Sequence, residues 1–154
     1  MRRRDVRLAA FALVLAAVVL GGLVFGLRGE DERAQFDARF NEAARLLQAG
    51  EHANAATALH RLLEVAPQVP ELHVNMGYAQ LGLNRPGAAR KAFESAIELR
   101  PRQANAYYGL AESLEGLGDL RGALGAMRTY VHLSAPDDPF VRKAHAAIWE
   151  WEAR

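Results

Sequence analysis

Residues 86–101 read "PGAARKAFESAIELRP". Ala89, Phe93 and Ala96 recur at spacings of four and three, so on a helix of 3.6 residues per turn they share one face. Pro86 suits the first helical position, where its missing N–H has no partner to lose. Pro101 ends the run, because the residue before a proline is pushed out of the helical region. The charged residues Arg90, Lys91, Glu94, Glu98 and Arg100 fall among the other positions. The stretch therefore predicts a helix over 86–99 that buries two alanines around one large ring.

The same pattern returns 34 residues earlier as Ala55, Leu59, Leu62 and Pro67, and 34 residues later as Ala123, Met127, Tyr130 and Ala135, with Pro136 one residue late. The turns repeat as well: Gly50, Asn84 and Gly118 share that spacing, and Gly or Asn tolerates the left-handed conformation of a helix-ending turn. A fixed period with matching residue classes marks a repeat architecture. Helices are expected over 33–48, 52–65, 70–82, 86–99, 104–116, 120–133 and 138–152.

These residues resemble the tetratricopeptide repeat family, whose pattern is W-x2-L-G-x2-Y, then A-x3-F, then P. The second copy reads His73-x2-Met76-Gly77-x2-Gln80, then Ala89-x3-Phe93, Ala96 and Pro101. The third reads Tyr107-x2-Leu110-Ala111-x2-Leu114, then Ala123-x3-Met127. The first reads Arg39-x2-Glu42-Ala43-x2-Leu46, then Ala55-x3-Leu59 and Pro67, and departs at its first two positions. The resemblance spans about residues 36–136 and implies an all-α solenoid of three helical hairpins. A seventh helix, with Asp138 as N-cap and Pro139 in its first turn, places Phe140, Val141, Ala144, Ala147, Ile148 and Trp151 on one face. It is expected to cover the open apolar layer of the last repeat. Trp149 points the other way, either as an isolated surface aromatic or as a contact for a partner or lipid.

Ahead of the repeats, residues 8–27 read "LAAFALVLAAVVLGGLVFGL", twenty residues without a charge. As a helix this is about 30 Å long, the thickness of a bilayer's hydrocarbon core. A cleaved signal peptide is the competing reading, but it has a shorter apolar region and a small-residue cleavage site. Arg2, Arg3, Arg4 and Arg7 precede the run, which keeps the N-terminus cytoplasmic. The expected organisation is a basic N-terminus (1–7), a transmembrane helix (8–27), a linker (28–35), three repeats (36–136) and a capping helix (137–154). The expected location is a bacterial inner membrane, single-pass, with the repeats in the periplasm. Gly22 and Gly26 form a G-x-x-x-G pair, a spacing that lets a neighbouring transmembrane helix approach closely and that is also common in membrane helices generally.

Composition narrows the chemistry. The chain of 154 residues has no cysteine, which excludes disulfides and thiolate chemistry. From Gly29 onward there are 14 basic and 17 acidic side chains, not the basic stripe a nucleic-acid binder needs. The five histidines, His52, His60, His73, His132 and His145, have no ligand spacing, and neither a P-loop nor a nucleophile elbow is present. No enzyme activity, metal or cofactor is expected.

The resemblance further implies that a partner lies along a concave face lined by the first helix of each unit. The matching positions include Phe40 and Asn41, then Val74, Asn75, Tyr78 and Leu81, then Asn105, Tyr108 and Glu112. Val74 and Leu81 have the alternative of packing on neighbouring helices. Of the five positions that clamp a peptide carboxylate in one subclass, only Asn75 fits, while Glu112 and Glu115 favour a basic guest. One anchor ahead of three repeats is similar to bacterial assembly factors of respiratory or c-type cytochrome complexes. The alternative is a permanent accessory subunit of a membrane complex.

Overall fold

The computed structural model describes residues 29–135 and 137–153. The apolar run 8–27, with Gly22 and Gly26, lies outside the described residues. Among the described residues no helix is long and apolar enough to cross a membrane.

Seven helices are described: α1 (29–48), α2 (His52–Val65), α3 (Pro70–Gly82), α4 (Pro86–Leu99), α5 (Ala104–Gly116), α6 (Leu120–Leu133) and α7 (Val141–Glu152). The chain divides into two compact units after Ala38. The described part of the first, residues 29–38, is helical, including most of the segment expected as a linker. The second unit carries the repeats. From α2 to α7 each helix packs on the next, and α3 also touches α5.

The turns obey the 34-residue period. Gly50, Asn84 and Gly118 hold φ of 76°, 56° and 80°. A second tie has the same period. His73 Nε2 donates to the Pro67 carbonyl at 2.7 Å, and Tyr107 Oη donates to the Pro101 carbonyl at 3.1 Å. The residue at the family's tryptophan position thus anchors the preceding interhelical loop. Pro70 and Pro86 begin their helices, and Asp119 caps α6 by accepting from the Gly122 N–H at 2.9 Å.

Packing follows the alanine–ring–alanine pattern. Ala89, Phe93 and Ala96 are wholly buried, as are Ala55 and Leu59 one repeat before and Ala123 one repeat after. Phe93 sits between two backbones. A Cβ built on Gly77 of α3 would lie 2.5 Å from its ring, and one built on Gly109 of α5 would lie 2.1 Å from it. Both helices reach the ring because neither has a side chain in the way.

The seventh helix covers the last repeat, with one correction. Ala144 and Trp151 are buried, and Val141, Ala147 and Ile148 pack against the cluster of Ala123, Met127 and Tyr130. Trp151 Nε1 donates to Glu115 Oε1 at 2.8 Å, and Arg128 pairs with Glu152 at 2.5 Å. The helix starts at Val141, however, with Phe140 as N-cap. Asp138 uses its carboxylate to accept from the Phe140 N–H at 2.8 Å and its carbonyl to accept from the Val141 N–H at 3.1 Å. These bonds close a turn that holds Pro139 outside the helix. Phe140 leaves the covering face and is 50% exposed.

Gly77→Ala and Gly109→Ala are each expected to lower stability by about 1–3 kcal/mol, the usual cost of overpacking, although alanine is the better helix former by about 1 kcal/mol. Gly125→Ala, whose Cβ would meet nothing within 4 Å, should instead stabilise. Urea unfolding of the three variants checks both signs. Trp151→Ala should cost about 3–5 kcal/mol. A melt identical to that of the parent chain would mean that α7 is a detachable arm.

Candidate partner-binding groove

One large concavity, about 1020 Å³, opens in the second unit. Its floor is α5, which contributes Asn105, Tyr108 and Glu112 at spacings of three and four, one stripe of a helix. Tyr78 enters from α3 and Tyr130 from α6. The rims are Gln48 at the end of α1, Arg102 and Gln103 before α5, and Asp138, Phe140 and Lys143 around the start of α7.

The rings interlock edge to face. Tyr78 meets Phe93 at 5.1 Å between centroids, and Tyr108 meets Tyr130 at 5.1 Å and Phe140 at 5.9 Å. Such pairs contribute about 0.5–1.5 kcal/mol each beyond the area they bury. Tyr78 Oη donates to the Asn105 carbonyl at 3.1 Å, which fixes its ring against the first turn of α5. Lys143 Nζ lies 5.3 Å from the Phe140 centroid.

Burial governs the local protonation. The Tyr78 hydroxyl is pushed far above its ordinary range by desolvation, with the negative charge of Glu112 adding to it, so it stays a donor. Tyr108 is raised by burial and then by Glu112. Tyr130 is raised chiefly by burial, with Asp138 adding to it. The Glu112 carboxyl is raised by burial and by its neighbour Glu115, and Lys143 pulls it partly back.

Four of the nine residues expected in the groove meet here: Tyr78, Asn105, Tyr108 and Glu112. Val74 does not. It is 2% exposed and belongs to the core around Phe93, against which Leu81 also packs. Both take the alternative open to them in the sequence, because the face they share looks toward α4. Phe40, Asn41 and Asn75 do not line this concavity; Asn41 is exposed, and Phe40 and Asn75 are half-buried. The repeat rule also misses several lining residues. Tyr130 belongs to the second helix of its unit, Arg102 and Gln103 to a loop, and Phe140 and Lys143 to the helix beyond the last repeat. A signal for Phe140 was present in the "DDPF" turn, since an Asp two residues before it can close a turn on its N–H. Among the described residues no group of His, Asp or Glu is placed to hold a metal ion.

The geometry has counterparts among known proteins. The family described as "Tetratricopeptide repeat" matches residues 74–139. With the paired helices and the 34-residue turns, this identifies residues 74–139 as tetratricopeptide repeats. No curated protein matches it by sequence. Among solved structures, PcrH in complex with the chaperone binding region of PopD is similar with a TM-score of 0.75 at 17% identity, over 79% of this chain and 94% of that one. The type III secretion chaperone SycD of Yersinia enterocolitica, in complex with a peptide of the translocator YopD, gives 0.71 at 13% identity, over 76% and 92%. The first repeat domain of Spaghetti (RPAP3), bound to the HSP90 peptide SRMEEVD, gives 0.70 at 16% identity, over 77% and 90%. At these identities the likeness is one of fold.

Because the folded state holds Glu112 above its ordinary pKa, it binds more protons than the unfolded chain just above the usual glutamate range. Stability from this group is therefore lost as pH rises through its folded pKa. Glu112→Gln should raise stability at pH 7 and flatten that part of the profile, by less than about 1 kcal/mol because the half-exposed group is screened. Thermal melts of both proteins from pH 4 to 8 test this.

Proposed function

We propose that this chain holds a segment of another protein in the groove between α3, α5 and the start of α7. The observation that carries this reading is the open row of Tyr78, Tyr108 and Phe140, backed by the buried Tyr130, with Asn105, Gln103 and Glu112 interleaved. Half-wet aromatic rings supply contact area with little rotamer entropy to lose, and amides and hydroxyls serve the guest's backbone. The complexes of SycD with a peptide of the translocator YopD and of PcrH with the chaperone binding region of PopD support a chaperone-like use of such a solenoid.

The finer reading rests on the sequence. Residues 8–27 anchor the chain in a bacterial inner membrane with the N-terminus cytoplasmic, and the repeats face the periplasm. Gly22 and Gly26 are available for a neighbouring transmembrane helix. In that setting the chain is an assembly factor for a respiratory or c-type cytochrome complex. The alternative, a permanent accessory subunit, differs in lifetime rather than in surface.

The test uses the full chain in its membrane. A photocrosslinking residue in place of Gln103 should trap a partner, and Tyr108→Ala should reduce the adduct by about tenfold, a loss of about 1.4 kcal/mol, with helical content unchanged. An adduct that survives Tyr108→Ala undiminished rejects the groove. Sub-stoichiometric recovery of the partner favours the assembly factor, and one-to-one recovery favours the subunit. A periplasm-specific reporter fused after Arg154 that stays silent rejects the orientation.

A further inference from the structure

The groove floor carries a half-buried carboxylate. Glu112 is half-buried, lines the concavity and accepts no hydrogen bond among the described residues. Lys143 is close enough to oppose the rise in its pKa. Yet the two make no ion pair within 4 Å, and Lys143 instead lies 5.3 Å from the Phe140 centroid. A carboxylate partly drawn out of water is destabilised, and a charged donor that reaches it offsets that cost. The other cation of the concavity, Arg102, lies in the loop before α5, ten residues ahead of Glu112. Asp138 belongs to the Tyr130 end. The carboxylate thus faces aromatic rings and a lysine that does not reach it.

We propose that the groove selects its guest by an arginine side chain, which pairs with Glu112 beside Tyr108 and Phe140 and displaces Lys143 from the Phe140 ring. The proposal rests on the groove being the binding site and specifies the chemistry of its occupant. Arginine suits the place better than lysine. Its planar guanidinium stacks on aromatic rings while two N–H groups point at one carboxylate, and it is the more weakly hydrated cation. Lys143 acts as a resident competitor: tethered to α7, it shields the Phe140 ring and part of the Glu112 charge until a guest takes over both.

The probe is the capped tripeptide Leu-Arg-Leu, titrated into the isotope-labelled full chain in neutral detergent and followed through the backbone amides of Tyr108, Glu112 and Lys143. Matched peptides carry citrulline, lysine or glutamate at the centre. The arginine peptide should bind about tenfold tighter than its citrulline isostere, which is about 1.4 kcal/mol, and tighter than the lysine peptide. Glu112→Gln should abolish that preference. Lys143→Met should strengthen the arginine peptide severalfold while leaving the citrulline peptide nearly unchanged. Equal binding of arginine and citrulline, tighter binding of the glutamate peptide, or a loss of affinity in Lys143→Met each overturns the proposal. If every peptide shifts these amides equally, the groove stands as a binding site and only the arginine preference falls. If none shifts them while the spectrum remains that of the folded chain, the groove reading falls with it.

Discussion

The ring of Phe93 is wholly buried, and the backbones of α3 and α5 close on it from two sides at Gly77 and Gly109. A side chain at either glycine would occupy the ring's own volume. Interiors are packed near crystal density, so a ring of this size can be accommodated only where the opposing backbone gives way. This contact sets the distance between the first helices of two successive repeats. The groove lies between those helices, so its width depends on it.

The consequences pass outward from the ring. Tyr78 rests its edge on Phe93 and donates to the Asn105 carbonyl, which ties α3 to the first turn of α5. Tyr108, one turn further along α5, then meets Tyr130 of α6, and beyond it Phe140. The aromatic row is thus continuous with the core at one end and open at the other. Rigid support below and half-exposed rings above make a surface that would lose little entropy on binding the proposed guest.

The seventh helix has two roles that pull on adjacent residues. Ala144 and Trp151 seal the layer left open by the last repeat, because each unit of a solenoid buries its face only on a neighbour. Phe140 and Lys143, at the start of the same helix, turn toward the groove. The Asp138 turn separates the two roles. By holding Pro139 outside the helix, it directs Phe140 away from the face that Trp151 uses. A structural cap and the proposed recognition surface therefore share one short element without competing for the same side chains.

The chain's periodicity was enough to determine the helices. Six of the expected spans reappear with at most a few residues' change at their ends, and the left-handed turns fall at Gly50, Asn84 and Gly118. Local rules suffice there: alanine spacing, proline at N1 and glycine after a helix act within one or two turns of chain. Of the groove, the sequence made legible Tyr78, Asn105, Tyr108 and Glu112, which follow from the repeat register. It could not separate Val74 and Leu81 from them, since a residue's side of a helix decides burial only once the neighbouring helix is in place. Nor could it supply Tyr130, Arg102, Phe140 or Lys143, which come from a second helix, a loop and a cap. Their meeting depends on the angle at which α7 leaves α6 and on how closely two backbones approach Phe93. Those quantities arise from contacts between residues far apart in the chain, and only the tertiary structure decides them.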